Sequence, residues 1–229
     1  MTTPNYHDVG LVLAAAGRST RFGADINKLL IQNDGEPLFL HALRCFLTRV
    51  PAGRTVVVVP AAERDMFAAA LAAAQLDEEL NLVVGGATRQ DSVMNGLRAL
   101  PGGVRLVAVH DGARPFAPVE LLDRCVETAR CHGTGVAAHR VRNTIKRATP
   151  DGRVLRTLRR DMLWAAETPQ VFRRDLLQQA YTHVRAQGIQ VTDEAQSVEV
   201  LGRPVMLVEN NAWNPKITYP HDLTTQPLA

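Results

Sequence analysis

The 229-residue chain is poor in the features that mark secreted, membrane-spanning or nucleic-acid-binding proteins. It has only three cysteines, Cys45, Cys125 and Cys131, with no C-x-x-C spacing. That excludes a disulfide framework and a cysteine-based zinc site, and reduced thiols of a cytoplasmic protein are expected. Aromatic residues are 5% of the chain, and the basic segment 140–160 has none, which argues against a stacking platform for single-stranded nucleic acid there. No apolar run approaches the roughly 20 residues of a membrane helix, and the opening "MTTPNYHDVG" lacks the basic-then-apolar order of a signal peptide. Charge of one sign is missing too: 26 basic against 23 acidic residues leave +3, which suits anionic metabolites better than a long duplex.

What is present is a core-forming composition, 46% apolar, arranged in alternation. "VGLVLAAA" (9–16), "TVVVVP" (55–60), "LNLVVGG" (80–86) and "RLVAVHD" (105–111) are short runs apolar on both faces, the pattern of buried parallel strands. "PLFLHALRCFLTRV", "AAERDMFAAALAAAQL" and "TRQDSVMNGLRAL" lie between them and have the length and spacing of covering helices. The repetition predicts a three-layer α/β domain with a mostly parallel sheet.

From about Arg140 the texture changes. "RVRNTIKRATPDGRVLRTLRR" alternates β-branched and basic residues around the turn signal "TPDG", with eight basic residues between Arg140 and Arg160. This reads as a hairpin arm inserted at about 140–161 in one domain spanning 1–229. The main domain resumes with "LWAAETPQVF", a helix at about 173–187, a shorter one from Asp193 and a last strand "VMLVEN" at 205–210.

Three stretches carry chemistry. "LAAAGRSTRFGADINKLL" (13–30) follows the first strand with glycines and Arg18, Arg21 and Lys28, yet matches neither G-x-G-x-x-G nor G-x-x-x-x-G-K-[ST]. The ingredients of a phosphate site remain: backbone N–H groups able to approach an anion, and three cations to neutralise it. A solvated basic turn is the bland reading of the same residues. "LVAVHDGARP" ends a buried strand with His110 and Asp111 at the carboxyl edge where open α/β sheets bind ligands. One carboxylate there suits Mg²⁺, which takes one or two carboxylates plus substrate phosphates. A helix cap or turn former is the alternative for Asp111, and local packing for His110. In "GGATRQDSVMNGL", Ser92 either hydrogen-bonds a base or caps the helix it opens, and alone the cap is favoured.

Taken in order, "LAAAGRSTRFG…NK", "GGATRQDSV", "VHDGARP", "NTIKR", "ETPQVF", "TDEAQSVE" and "NPKIT" resemble the 2-C-methyl-D-erythritol 4-phosphate cytidylyltransferases over nearly the whole chain, from about Val9 to Leu223. The resemblance implies a Rossmann-like nucleotidyltransferase fold, a homodimer built through the arm, and CMP transfer from CTP to a polyol phosphate with Mg²⁺ or another divalent cation. Position by position it implies that Arg21, Lys28 and Lys216 act on the triphosphate and the transition state. The backbone at Ala15, Ala16 and Gly17, with Gly86 and Ser92, would line the nucleotide. Asp111 would hold the metal, Arg114 would lie beside the polyol phosphate, Thr144 and Arg160 in the arm would contact substrate phosphate, and Thr168 would face the substrate pocket. The chain departs from the family pattern at Asn27 and Leu29, where Pro and Gln are usual around Lys28, and at Ala87, often acidic or polar. Ribitol 5-phosphate as acceptor, a non-catalytic sugar-nucleotide sensor and nucleic-acid binding by the basic arm are the rival readings.

Overall fold

In a computed structural model, which describes residues 4–17, 27–76 and 79–223, the apolar runs become strands and the sheet forms the middle of three layers. The chain begins with β1 (Val9–Ala14), a two-stranded hairpin of β2 (Gln32–Asn33) and β3 (Glu36–Pro37), α1 (Leu38–Leu47), β4 (Thr55–Val59) and α2 (Arg64–Ala73). It continues through β5 (Asn81–Val84), α3 (Arg89–Ala99), β6 (Leu106–Asp111), α4 (Val119–His132) and β7 (Thr134–Arg140). The arm, β8 (Ile145–Ala148) and β9 (Val154–Leu158), precedes β10 (Trp164–Arg173), α5 (Arg174–Ala186), α6 (Glu194–Val200) and β11 (Leu207–Glu209).

The seven-stranded sheet runs β11-β7-β10-β6-β1-β4-β5. Only β10 opposes the common direction, pairing antiparallel with both β6 and β7. Alternation explains the layers. Along β1 and β4, Leu11, Leu13, Val57 and Val59 point into one core with α1, α2 and α4, while Val12, Val56 and Val58 point into the other with α3, α5 and α6. Strands apolar on both faces are therefore what a covered sheet requires.

The arm forms where it is expected: β8 and β9 pair antiparallel as a separate two-stranded sheet, closed by Gly152 N–H donating to the Thr149 carbonyl. Three elements go beyond the expectations. The segment between the fourth apolar run and the arm folds into α4, which buries Leu121, Leu122, Cys125, Val126 and Ala129, and into β7. "LWAAETPQVF" becomes a ten-residue strand whose register shifts between Ala166 and Gln170. No helix among the described residues is long and apolar enough to cross a membrane.

Candidate active site at the carboxyl edge of the sheet

Parallel strands end together, so β1, β5 and β6 deliver their following loops to one edge. Ala15, just past β1, is buried and donates its N–H to the Val58 carbonyl at 2.8 Å. The loop after β5 lies against it: a Cβ placed on Gly85 would come within 2.5 Å of Ala16 Cβ and 2.8 Å of Ser92 Oγ. Only glycine permits that approach, and it brings Ala16, Gly86 and Ser92 into one wall with Gly17 exposed beside it. Ser92 does not cap α3. Thr88 is the N-cap, its hydroxyl accepting from Asp91 N–H at 3.1 Å, because the helix begins one residue later, at Arg89. Ser92 Oγ instead donates to the Thr88 carbonyl at 2.9 Å and accepts from Gly86 N–H at 3.1 Å, fixing the glycine loop.

Asp111 ends β6 and is the centre of an ion-pair cluster. Its two carboxylate oxygens accept from Arg89 Nη1 and Lys216 Nζ, each at 2.7 Å. Arg89 also donates to Glu194 at 2.9 Å, and Glu194 is fully buried and further held by the Tyr181 hydroxyl at 3.0 Å. Burial pushes the Asp111 carboxyl up, but Arg89, Lys216 and Arg114 outweigh it and hold the group well below the usual carboxylate range. It is ionised at neutral pH. The α4 N-cap is Pro118, so Asp111 does not cap that helix; its carbonyl opens the turn after β6, accepting from Arg114 N–H at 3.0 Å, while its side chain holds the cations.

Behind Asp111 the packing is tight. Thr168 Oγ1 accepts from Asp111 N–H at 3.1 Å and lies 3.0 Å from His110 Nδ1, while His110 Nε2 donates to the Arg114 carbonyl at 3.0 Å. A carbonyl on Nε2 fixes that nitrogen as a donor, and where the ring is neutral Nδ1 is left to accept from the Thr168 hydroxyl. Burial lowers the His110 pKa to about 4, consistent with that state. His110 stacks edge-on with Phe46 and is a packing residue. Thr168 is 4% exposed, so its side chain supports Asp111 from inside the fold.

The segment after β11 closes over this edge. Arg114 Nη1 donates to the Asn214 carbonyl and Lys28 Nζ to the Ile217 carbonyl, both at 2.6 Å, so both side chains are tied to the segment that carries Lys216. Lys28 follows Asn27, whose side chain caps the turn Lys28–Leu30, and Leu29 packs into the core. The two departures from the family pattern around Lys28 thus serve the local turn and the core. Ala87 is exposed next to Gly86. Arg18 and Arg21 lie outside the described residues. Thr144 and Arg160 lie in exposed parts of the arm, where Arg160 Nη1 contacts the Arg142 carbonyl; no bond joins them to the Asp111 cluster.

Sequence reasoning missed Arg89, Glu194 and Glu167. All three stand inside motifs quoted above, "GGATRQDSV", "TDEAQSVE" and "ETPQVF", but a pairing across 105 positions leaves no local pattern.

The donor chemistry fits a divalent cation completed by substrate. Asp111 is ionised and keeps lone pairs beyond the two that its cations use. No group of three His, Cys, Asp or Glu able to hold a metal occurs among the described residues, so phosphate oxygens would supply the remaining ligands, as is usual for Mg²⁺.

A family profile described as 2-C-methyl-D-erythritol 4-phosphate cytidylyltransferase matches residues 9–227. The enzyme of that name from Bacillus velezensis is 42% identical over 214 residues, covering 93% of this chain and 91% of the relative. The solved structure of the cytidylyltransferase from Thermus thermophilus superposes with a TM-score of 0.77 at 32% identity, covering 95% of this chain and 96% of the other. For the 4-diphosphocytidyl-2C-methyl-D-erythritol synthase of Anaerococcus prevotii the TM-score is 0.80 at 27% identity, with 94% of each chain covered.

Proposed function

The chain belongs to the 2-C-methyl-D-erythritol 4-phosphate cytidylyltransferase family, and from that premise we propose how its residues divide the work. The enzyme transfers CMP from CTP to 2-C-methyl-D-erythritol 4-phosphate in the non-mevalonate route to isoprenoids. An oxygen of the polyol phosphate attacks the α-phosphorus of CTP, the bond from that phosphorus to the bridging oxygen breaks, and pyrophosphate leaves with the electron pair. A phosphate monoester has its second pKa near about 6, so the nucleophile is already largely dianionic and needs no general base. The difficulty is bringing two anions together and stabilising the charge on the departing group, a task of positioning and electrostatics.

The residues are assigned accordingly. The wall of Ala15, Ala16, Gly17, Gly86 and Ser92 lines the nucleotide, with Gly86 N–H and Ala15 fixed by the bonds described above. Lys28 and Lys216, with Arg21, neutralise the triphosphate and the leaving pyrophosphate. Asp111 keeps Lys216 at its station and would be the protein ligand of a divalent cation, Mg²⁺ by donor type. The chemistry such a cation supplies is compact positive charge on the phosphate oxygens. Arg114 binds the polyol phosphate, with Thr168 holding the strand end behind it. Arg160 and Thr144 add further phosphate contacts from the arm, arginine as a two-pronged clamp.

The arm makes a homodimer in this proposal, since Val154, Leu155 and Met162 are apolar and exposed on it or at its base. The free thiols Cys45, Cys125 and Cys131 support a cytoplasmic setting. The observation that carries the site assignment is the pairing of Lys216 and Arg89 with the ionised Asp111 at the carboxyl edge of the sheet, with Lys28 bonded to the Ile217 carbonyl next to Lys216. It is tested by pyrophosphate release with Mg²⁺ and CTP, comparing 2-C-methyl-D-erythritol 4-phosphate with ribitol 5-phosphate and omitting each component in turn. Release that needs the methylerythritol substrate, CTP and metal together is expected. Release with ribitol phosphate alone would move the acceptor to the rival substrate, and silence with both would overturn the transfer.

A further inference from the structure

Glu167 is a buried carboxylate that contacts no residue assigned to substrate, yet three side chains converge on it. It is 5% exposed; Oε1 lies 2.6 Å from His139 Nδ1, and Oε2 accepts from Asn210 Nδ2 at 2.8 Å and Asn214 Nδ2 at 2.9 Å. Both asparagines belong to the strap of residues 210–217 that closes over the carboxyl edge, and both are themselves buried.

We infer that Glu167 is a positioning residue for nucleotidyl transfer, clamping this strap so that Lys216 reaches Asp111 and Arg114 finds its carbonyl anchor. The inference deepens the function proposed above and rests on it. The strap's backbone is pinned near its ends, where Asn210 N–H donates to the Ala138 carbonyl and Ile217 N–H to the Ala113 carbonyl. Between these pins, Trp213 packs on Phe116 with ring centroids 4.6 Å apart, and Asn214 Nδ2 is shared between Glu167 and the Thr168 carbonyl. Glu167 is the anion of this middle stretch. Asn214 presents its own carbonyl to Arg114, and Lys216 follows two residues later.

The register shift in β10 between Ala166 and Gln170 gives the arrangement its geometry. Such irregularities re-aim side chains that regular alternation would place otherwise. Here adjacent residues serve both halves of the site: Thr168 holds Asp111 from behind, and Glu167 holds the strap that carries Lys216 and anchors Arg114. Two buried amide groups would lose their acceptor if the carboxylate were removed, and buried donors left unpaired drive local rearrangement. Displacing a charged group by about 1 Å can cost up to about 10²-fold in rate, so the consequence is kinetic.

The test uses the full chain and the variants Glu167→Ala, Glu167→Gln and Asn214→Ala. Pyrophosphate release is measured while each substrate is varied, and Tm is measured alongside. Glu167→Ala is expected to lower kcat about tenfold and raise KM for the polyol phosphate severalfold and KM for CTP by less, because Arg114 depends on the strap for its anchor while the nucleotide wall still holds CTP when Lys216 is displaced. Asn214→Ala keeps the carbonyl used by Arg114 and is expected to show the same split; it carries the test should Glu167→Ala fail to fold. Glu167→Gln is expected to stay within about threefold of the parent, its carboxamide oxygen accepting from the two asparagines. A parent inert toward CTP and 2-C-methyl-D-erythritol 4-phosphate removes the underlying function and the positioning role with it. An active parent, with folded variants whose kcat and KM values are unchanged or whose losses follow only the folded fraction, overturns the positioning role alone.

Discussion

Asp111 shows how far single residues could be read. Its place at the end of a buried strand marked it as a ligand group, and Lys216 followed from the motif "NPKIT". The cations that fix its charge state were only partly legible, since Arg89 reaches Asp111 across 22 positions and Glu194 across 105. Side-chain pairing at that range is a product of the fold. Ser92 makes the same point at short range: helix-opening chemistry was visible, but Thr88 takes the cap and Ser92 fixes the glycine loop. At this scale the sharpest prediction concerns Lys28, whose ammonium is brought to the Ile217 carbonyl beside Lys216. Losing one donor that acts mainly in a transition state costs on the order of 10²–10³ in rate. Lys28→Ala should lower kcat by that order with Tm nearly unchanged, as read by steady-state kinetics and thermal unfolding. Near-parental turnover would remove Lys28 from the chemistry.

Among the elements, those with strong local signals are legible in the sequence. The strands β1, β4 and β6 are marked by runs apolar on both faces and are buried as that pattern expects, β5 is marked the same way but is a half-exposed edge strand, and the arm is marked by alternation around "TPDG". The role of β10 was less accessible, because antiparallel insertion between β6 and β7 depends on long-range pairing and "ETPQ" breaks its alternation. The arm has no core of its own: Val154 and Leu155 are 55% and 54% exposed, and Met162 at its base is 88% exposed. A two-stranded hairpin is marginal alone, and exposed apolar groups on one invite a partner surface. If the arm joins two copies, Leu155→Glu should shift the protein from dimer to monomer in sedimentation at micromolar concentration. It should also weaken activity at low protein concentration if Arg160 or Thr144 serves a neighbouring subunit. A monomeric parent, or a variant that sediments like the parent, would dismiss the arm as the interface.

At the scale of the whole molecule, the site is a meeting of segments far apart in sequence: the end of β1, the turn at Lys28, the loop after β5, the end of β6 and the strap before Ile217. Ligand binding across them should therefore be felt as global stability. A ligand bound only by the folded state adds about 2.7 kcal/mol when present at 100 times its dissociation constant. For a chain of this size each kcal/mol raises Tm by roughly 2–4 °C, so saturating CTP with Mg²⁺ should raise it by roughly 5–11 °C. The metal dependence of that shift separates two ways of holding a triphosphate. Lysines and backbone N–H groups alone would bind CTP without a cation, and excess chelator would leave the shift intact. If Asp111 shares a divalent ion with the phosphates, chelation should remove most of the shift, and Asp111→Asn should blunt the response to metal while retaining a smaller response to CTP. A shift indifferent to chelator would take the metal away from Asp111 and leave that carboxylate with the single role of holding Arg89 and Lys216 in place.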